Sequence, residues 1–192
     1  MLFRSASSPN TNLITASINA DLRIVIDGTG VADDGFRIAT AGGGSTIRGL
    51  VIQDFGGSGI EINDSNNNII VGNFIGTDVT GEIADGNTEV AVHVAGTSSN
   101  NRIGGTAAAD RNLLSGNDLD GIFIESGTGN MVLGNFIGTD KDGLDDLGNG
   151  RDGVQVFFAD GNTIGGTTTA ARNVIAGDRK STRLNSSHLF IS

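Results

Sequence analysis

The chain has 192 residues, 31 glycines, a single proline, no cysteine and a formal net charge of −10. Without cysteine there is no disulfide framework and no thiolate metal site, and twelve scattered Lys and Arg argue against a basic groove for nucleic acid. No run approaches the roughly 18 consecutive apolar residues of a membrane span, and no segment keeps a helical apolar period for three turns, so neither membrane insertion nor a substantial helix is expected.

In chain order, Met1 to Asn12 has no apolar core followed by a small-residue cleavage site, so for an exported protein the leader is expected to be missing from this stretch. Leu22 to Ile26 reads as a strand of an early repeat, and Gly35-Phe36-Arg37-Ile38 opens the first recognisable unit. From there Gly59-Ile60-Glu61-Ile62, Ala91-Val92-His93-Val94, Gly121-Ile122-Phe123-Ile124 and Gly153-Val154-Gln155-Val156 recur about every thirty residues. Between them Gly72-Asn73-Phe74-Ile75-Gly76-Thr77-Asp78 returns unchanged, 62 residues later, as Gly134-Asn135-Phe136-Ile137-Gly138-Thr139-Asp140. Ile103-Gly104-Gly105-Thr106 and Arg111-Asn112-Leu113-Leu114 return as Ile164-Gly165-Gly166-Thr167 and Arg172-Asn173-Val174-Ile175. After Gly177-Asp178 the repeat stops. Arg179 to Ser192 carries three basic and no acidic residues and resembles translated adapter or vector sequence. One domain is therefore expected over 1–178, with clear repeats at 35–178 and a non-native-looking or disordered tail at 179–192.

Short runs of β-branched residues and Leu between Gly and Asn are strand chemistry, and their period of two separates inward from outward positions. The first strand of each unit points Ile60 and Ile62, Val92 and Val94, Ile122 and Ile124, Val154 and Val156 inward. Its outward column is Arg37, Glu61, His93, Phe123 and Gln155. The second strand buries Ile70, Ile103, Val132 and Ile164, and the third buries Ile75, Leu114, Ile137 and Ile175. Three strands joined by tight turns cannot pair within one unit, so each must pair with its equivalent in the next, parallel and in register. The predicted fold is all-β: a single-stranded parallel β-helix with three short parallel sheets and about five to six rungs, a rod roughly 25–30 Å long.

Two asparagine columns precede the second and third strands: Asn68, Asn101, Asn130 and Asn162, and Asn73, Asn112, Asn135 and Asn173. Asn tolerates the left-handed backbone of a corner, and stacked amides are able to hydrogen-bond along the rod as ladders. The outward residues of the third strand, Val51, Phe74, Leu113, Phe136 and Val174, are all apolar. A stripe of this kind needs a cover, either the long loops after Gly76, Gly105, Gly138 and Gly166 or a lateral protein partner.

With its repeated NxIGG, RNxISG and GNxIGTD motifs, the segment from about 20 to 178 resembles right-handed parallel β-helix repeat proteins of the pectin-lyase-like fold, of the bacterial secreted or cell-surface type. The resemblance implies the right-handed sense, a secreted or cell-surface location, and a polysaccharide or cell-surface glycan as partner on the outward column of Arg37, Glu61, His93, Phe123 and Gln155. Enzymes of that superfamily use several converging Asp residues, or Asp-bound calcium with a basic residue. Here Glu61 and His93, on neighbouring rungs, are the weak catalytic candidates, and solvent-facing strand residues are the alternative.

Acidic residues gather after the third strand, at Asp78 to Asp85 and at Asp140 to Asp146. Asp140, Asp142, Asp145 and Asp146 form a candidate Ca²⁺ loop, with a plain acidic turn as the alternative; no other cofactor is implied. The first copy has Thr80 for Asp142 and Ala84 for Asp146. Asp78 and Asp140 recur with the scaffold, as do Arg111 and Arg172, which points to turn-holding and loop-holding roles. The leading expectation is a non-catalytic module of a larger protein, structural, adhesive or carbohydrate-contacting, open to lateral or end-to-end self-association. The other expectation is a fragment of a polysaccharide lyase or glycoside hydrolase whose catalytic residues lie outside this chain.

Overall fold

The computed structural model describes residues 7–176, so the divergent tail at 179–192 lies outside the described residues. Those residues contain sixteen strands of two to four residues, three short 3-10 turns and no α-helix. Sheet I holds β2 (Phe36–Ile38), β5 (Ile60–Asn63), β8 (Val92–Ala95), β11 (Ile122–Ile124) and β14 (Val154–Val156). Sheet II holds β3 (Thr46–Arg48), β6 (Ile69–Val71), β9 (Arg102–Gly104), β12 (Met131–Leu133) and β15 (Thr163–Ile164). Sheet III holds β1 (Val25–Asp27), β4 (Val51–Gln53), β7 (Phe74–Ile75), β10 (Leu113–Leu114), β13 (Phe136–Ile137) and β16 (Val174–Ile175). Every pairing between named strands is parallel, and each strand pairs with its equivalent one turn away, which makes a parallel β-helix of five full rungs and one further strand.

Register follows the repeat. Ile60 lies opposite Val92, Val92 opposite Ile122 and Ile122 opposite Val154, so the inward residues stack into one continuous column. Ile60, Ile62, Ile70, Ile75, Val92, Val94, Ile103, Leu114, Ile122, Ile124, Val132 and Ile137 are fully buried in this central core. Each such side chain stabilises the rod by about 1.5–3 kcal/mol relative to exposure. Ile175, expected inward, is 40% exposed because β16 has only β13 as a neighbour. Corners between sheets II and III turn at Gly72 (φ 65°) and Gly134 (φ 67°), a backbone region that a Cβ disfavours.

Both expected asparagine columns form ladders. Asn68, Asn101 and Asn130 each donate a side-chain N–H to Oδ1 of the next member at 2.9–3.0 Å, ending on Asn162, while their backbone N–H groups donate to the same oxygens. Asn73, Asn112 and Asn135 repeat this towards Asn173. A third ladder, absent from the sequence expectations, runs Asn87–Asn117–Asn149 at the corner leading into sheet I. Its signal was present: each member stands five residues before Val92, Ile122 or Val154.

The apolar stripe outside sheet III is covered within the chain, largely by a segment other than the one expected. Ile14, Ile18 and Leu22 of the N-terminal segment pack with Val51, Phe74, Leu113 and Phe136 as a second core. Asn10 Nδ2 donates to the Ala108 carbonyl, Arg111 Nη1 to the carbonyls of Asn12 and Leu13, and the Ile18 amide to the Lys141 carbonyl. Arg111 also lies 5.0 Å over the Phe136 ring; burial lowers its pKa, and it holds this N-terminal strap in place of its own loop. Its repeat partner Arg172 is exposed. The loops after Gly76 and Gly138 do contribute, since a Cβ at Gly143 would stand 3.1 Å from the Phe136 ring.

Asn112 is central to its ladder: Oδ1 accepts the Asn73 amide, and Nδ2 donates to Asn135 Oδ1 and the Ile70 carbonyl. Asn112→Ala strands buried groups on both neighbouring rungs and is expected to cost about 2–5 kcal/mol in urea unfolding. Asn66→Ala, which removes an exposed acceptor for the Ser99 amide, is expected to change stability by a few tenths of a kcal/mol, and equal losses in the two variants would contradict this account.

Candidate functional site

Sheet I brings the predicted outward column together. Arg37 stands opposite Glu61, Glu61 opposite His93, His93 opposite Phe123 and Phe123 opposite Gln155. The backbone adjacency of Glu61 and His93 does not become a side-chain pair. Glu61 turns the other way, with Oε2 2.9 Å from Arg37 Nε and Oε1 accepting an N–H from Asn63 at 3.2 Å. The Arg37 contact is an ion pair without good N–H···O alignment, so Glu61 Oε2 is buried and lacks a proper hydrogen bond. His93 stacks on Phe123 with ring centroids 5.1 Å apart and planes 8° from parallel, and its Nε2 faces Glu125 Oε2 at 3.3 Å.

Glu125, Phe157 and Phe158, which sequence reasoning missed, complete this face. With Glu61, Asn63 and His93 they line a groove of 540 Å³ at the end of sheet I. Glu125 and the two phenylalanines follow their strands in the loops, where the alternation of inward and outward positions no longer assigns a direction.

A second feature unseen in the sequence sits where sheet III turns towards sheet I. Thr29 Oγ1 lies 2.6 Å from Asp27 Oδ1 and 2.9 Å from Asp54 Oδ2, so its single proton serves one carboxyl at a time. Gln53 Nε2 donates to Asp85 Oδ2 at 2.5 Å and reaches Asp27 Oδ2 at 3.4 Å. The hydroxyl and amide of Thr29 hold the Asp27 carboxyl below the usual range, whereas burial, and then the charges of Asp54, Asp27 and Asp78, push Asp85 up. These carboxyls are not copied by the repeat: the amides of Asp85 and Leu147 donate to the carbonyls of Gly76 and Gly138, so Leu147 occupies the equivalent position on a later rung.

The acidic loops are excursions closed by bridges between Thr77 and Ala84 and between Thr139 and Asp146. In the second, Asp140 Oδ1 accepts the amides of Leu144 and Asp145, and Asp146 Oδ1 accepts that of Gly148. In the first, Asp78 Oδ1 accepts the amide of Ile83 and the Thr80 hydroxyl. Burial acts to raise the Asp78 pKa, but these bonds outweigh it and the net shift is downward. Asp142 and Asp145 lie in the same loop. Among the described residues, no three His, Cys, Asp or Glu side chains converge in a way that would hold a metal ion.

No family model, no curated protein and no solved structure matches the chain.

The raised Asp85 carboxyl favours the folded state when protonated, so its contribution is present at low pH and lost as pH rises through its folded pKa. Asp78 and Asp64 are lowered, Asp64 by the amide and hydroxyl of Thr97, so theirs is present above about pH 4 and lost on acidification. Asp85→Asn is therefore expected to raise the thermal midpoint at pH 7, with the gain vanishing as the pH falls below about 4. Melting curves of both proteins across that range check it; a destabilised variant at pH 7 would contradict the burial and repulsion assigned to Asp85.

Proposed function

We propose that the chain is a non-catalytic β-helix module of a larger secreted or cell-surface bacterial protein, of the pectin-lyase-like type, that contacts carbohydrate along the outer face of sheet I. The observation that carries this reading is that Glu61 and His93, adjacent in register, turn away from each other to separate neighbours. Glu61 pairs with Arg37 and Asn63 and His93 with Phe123 and Glu125, so the two do not face each other as an acid and base couple. What the face offers is a rigid, mixed aromatic and polar surface on a scaffold whose backbone cannot shift without breaking ladders, which suits recognition. No helix among the described residues is long and apolar enough to cross a membrane, and the outer stripe of sheet III is covered by the chain itself, whereas the outer face of sheet I is open to a glycan.

One observation favours a second reading, a polysaccharide lyase or glycoside hydrolase. Asp27 and Asp85 converge on the Gln53 amide, and their environments move their carboxyls in opposite directions, a difference that an acid and base pair uses.

The two readings part in one experiment, in which the protein is incubated with a panel of neutral and acidic polysaccharides and followed for pull-down and for reducing or unsaturated sugar release. The proposed module is retained on a polysaccharide and releases nothing above buffer. Release that Asp85→Asn or Glu61→Gln abolishes would establish the enzyme.

A further inference from the structure

The corner after three of the five sheet I strands takes a left-handed backbone. Asp64 (φ 50°), Gly96 (φ 62°) and Phe158 (φ 48°) share one register position, four residues after Ile60, Val92 and Val154. Glycine adopts this conformation freely and Asp tolerates it, but for a bulky aromatic it is an outlier. The Phe158 side chain gains no burial in return, because the residue is 84% exposed, with its ring edge-on to Phe157 at 4.2 Å between centroids. Gly96 meets this conformation without strain, so folding gives no reason for an aromatic here. The ring projects at the rim of the 540 Å³ groove, whose other walls include Glu61, Asn63 and Glu125.

We infer that this groove is a sugar subsite in which Phe158 stacks against the apolar face of an uncharged pyranose ring and Glu125 and Asn63 bond its hydroxyls. The inference rests on the carbohydrate reading above and adds the ligand's charge class. Glu125, about half exposed, has Oε1 open to a hydroxyl beside the Oε2 that faces His93, and Asn63 keeps an N–H beyond the one given to Glu61. No Lys or Arg lines the groove, and the nearby Arg37 pairs with Glu61 through Nε. A uronate ring would bring its carboxylate towards Glu61 and Glu125 with no Lys or Arg to receive it and with His93 already facing Glu125, so polyuronates are disfavoured and neutral glycans accepted.

Calorimetric titration of neutral xylo-, manno- and cello-oligosaccharides, and of oligogalacturonate, into the wild-type chain and Phe158→Gly tests this. The wild type is expected to bind a neutral oligosaccharide and not oligogalacturonate. Phe158→Gly is expected to lose roughly tenfold or more in affinity while its thermal midpoint rises by about 2–4 °C as the strained corner relaxes. A preference for oligogalacturonate, an unchanged affinity in Phe158→Gly, or a variant less stable than the wild type overturns the subsite and leaves the face reading standing. Wild-type protein that binds none of these glycans, nor any polysaccharide of the wider panel, overturns both.

Discussion

A buried asparagine amide must find partners, and in this rod each finds them on the adjacent rung. Two-to-four-residue strands bury too little to stand alone, and three of them joined by corners cannot pair with each other. Stacking satisfies the backbone by parallel pairing, the apolar residues by a continuous core, and the corners by ladders such as Asn68–Asn101–Asn130–Asn162. The three demands share one register. A slip that preserved the apolar column would still leave asparagine donors in a dry interior at about 1–3 kcal/mol each.

That constraint also separates scaffold from surface. Asp78 and Asp140, the most conspicuous acidic residues of the repeat, close turns, and Arg111 pins the strap over the sheet III stripe. The features without copies lie elsewhere: Glu125 and Phe158 at the groove, and Asp27, Asp54 and Asp85 at the turn from sheet III. Uncopied features are where a repeat protein departs from what folding requires. Phe158 makes the case most clearly, since it occupies a corner that Gly96 fills at lower cost.

The inward and outward assignment on sheet I was legible because strand alternation and repeat spacing agree at every rung. Two ladders were legible for the same reason. The Asn87–Asn117–Asn149 ladder was obscured because excursions of different length separate its members from the preceding strand, although the distance to the following strand is constant. The strap was hidden by sequence distance, with Asn10 meeting Ala108 across 98 positions. Glu61 and His93 show the limit of register: it placed their backbones side by side, but the guanidinium on one neighbour and the aromatic ring on the other decided where each side chain turned. Asp85 joins Asp27 only because an excursion returns the chain to that point, which no local pattern announces.

If ladders bind the rungs into one cooperative unit, native-state hydrogen exchange is the direct test. The amides of Asn68, Asn101, Asn112, Asn130 and Asn135 each donate to the next ladder oxygen and span the rungs between β6 and β13. They are expected to share one opening free energy within about 1 kcal/mol, equal to that of global unfolding, while the Leu144 and Asp145 amides in the excursion exchange faster. Ladder amides that opened rung by rung, with free energies stepping down from the centre of the rod, would show that the asparagines decorate a stack held together by its core alone.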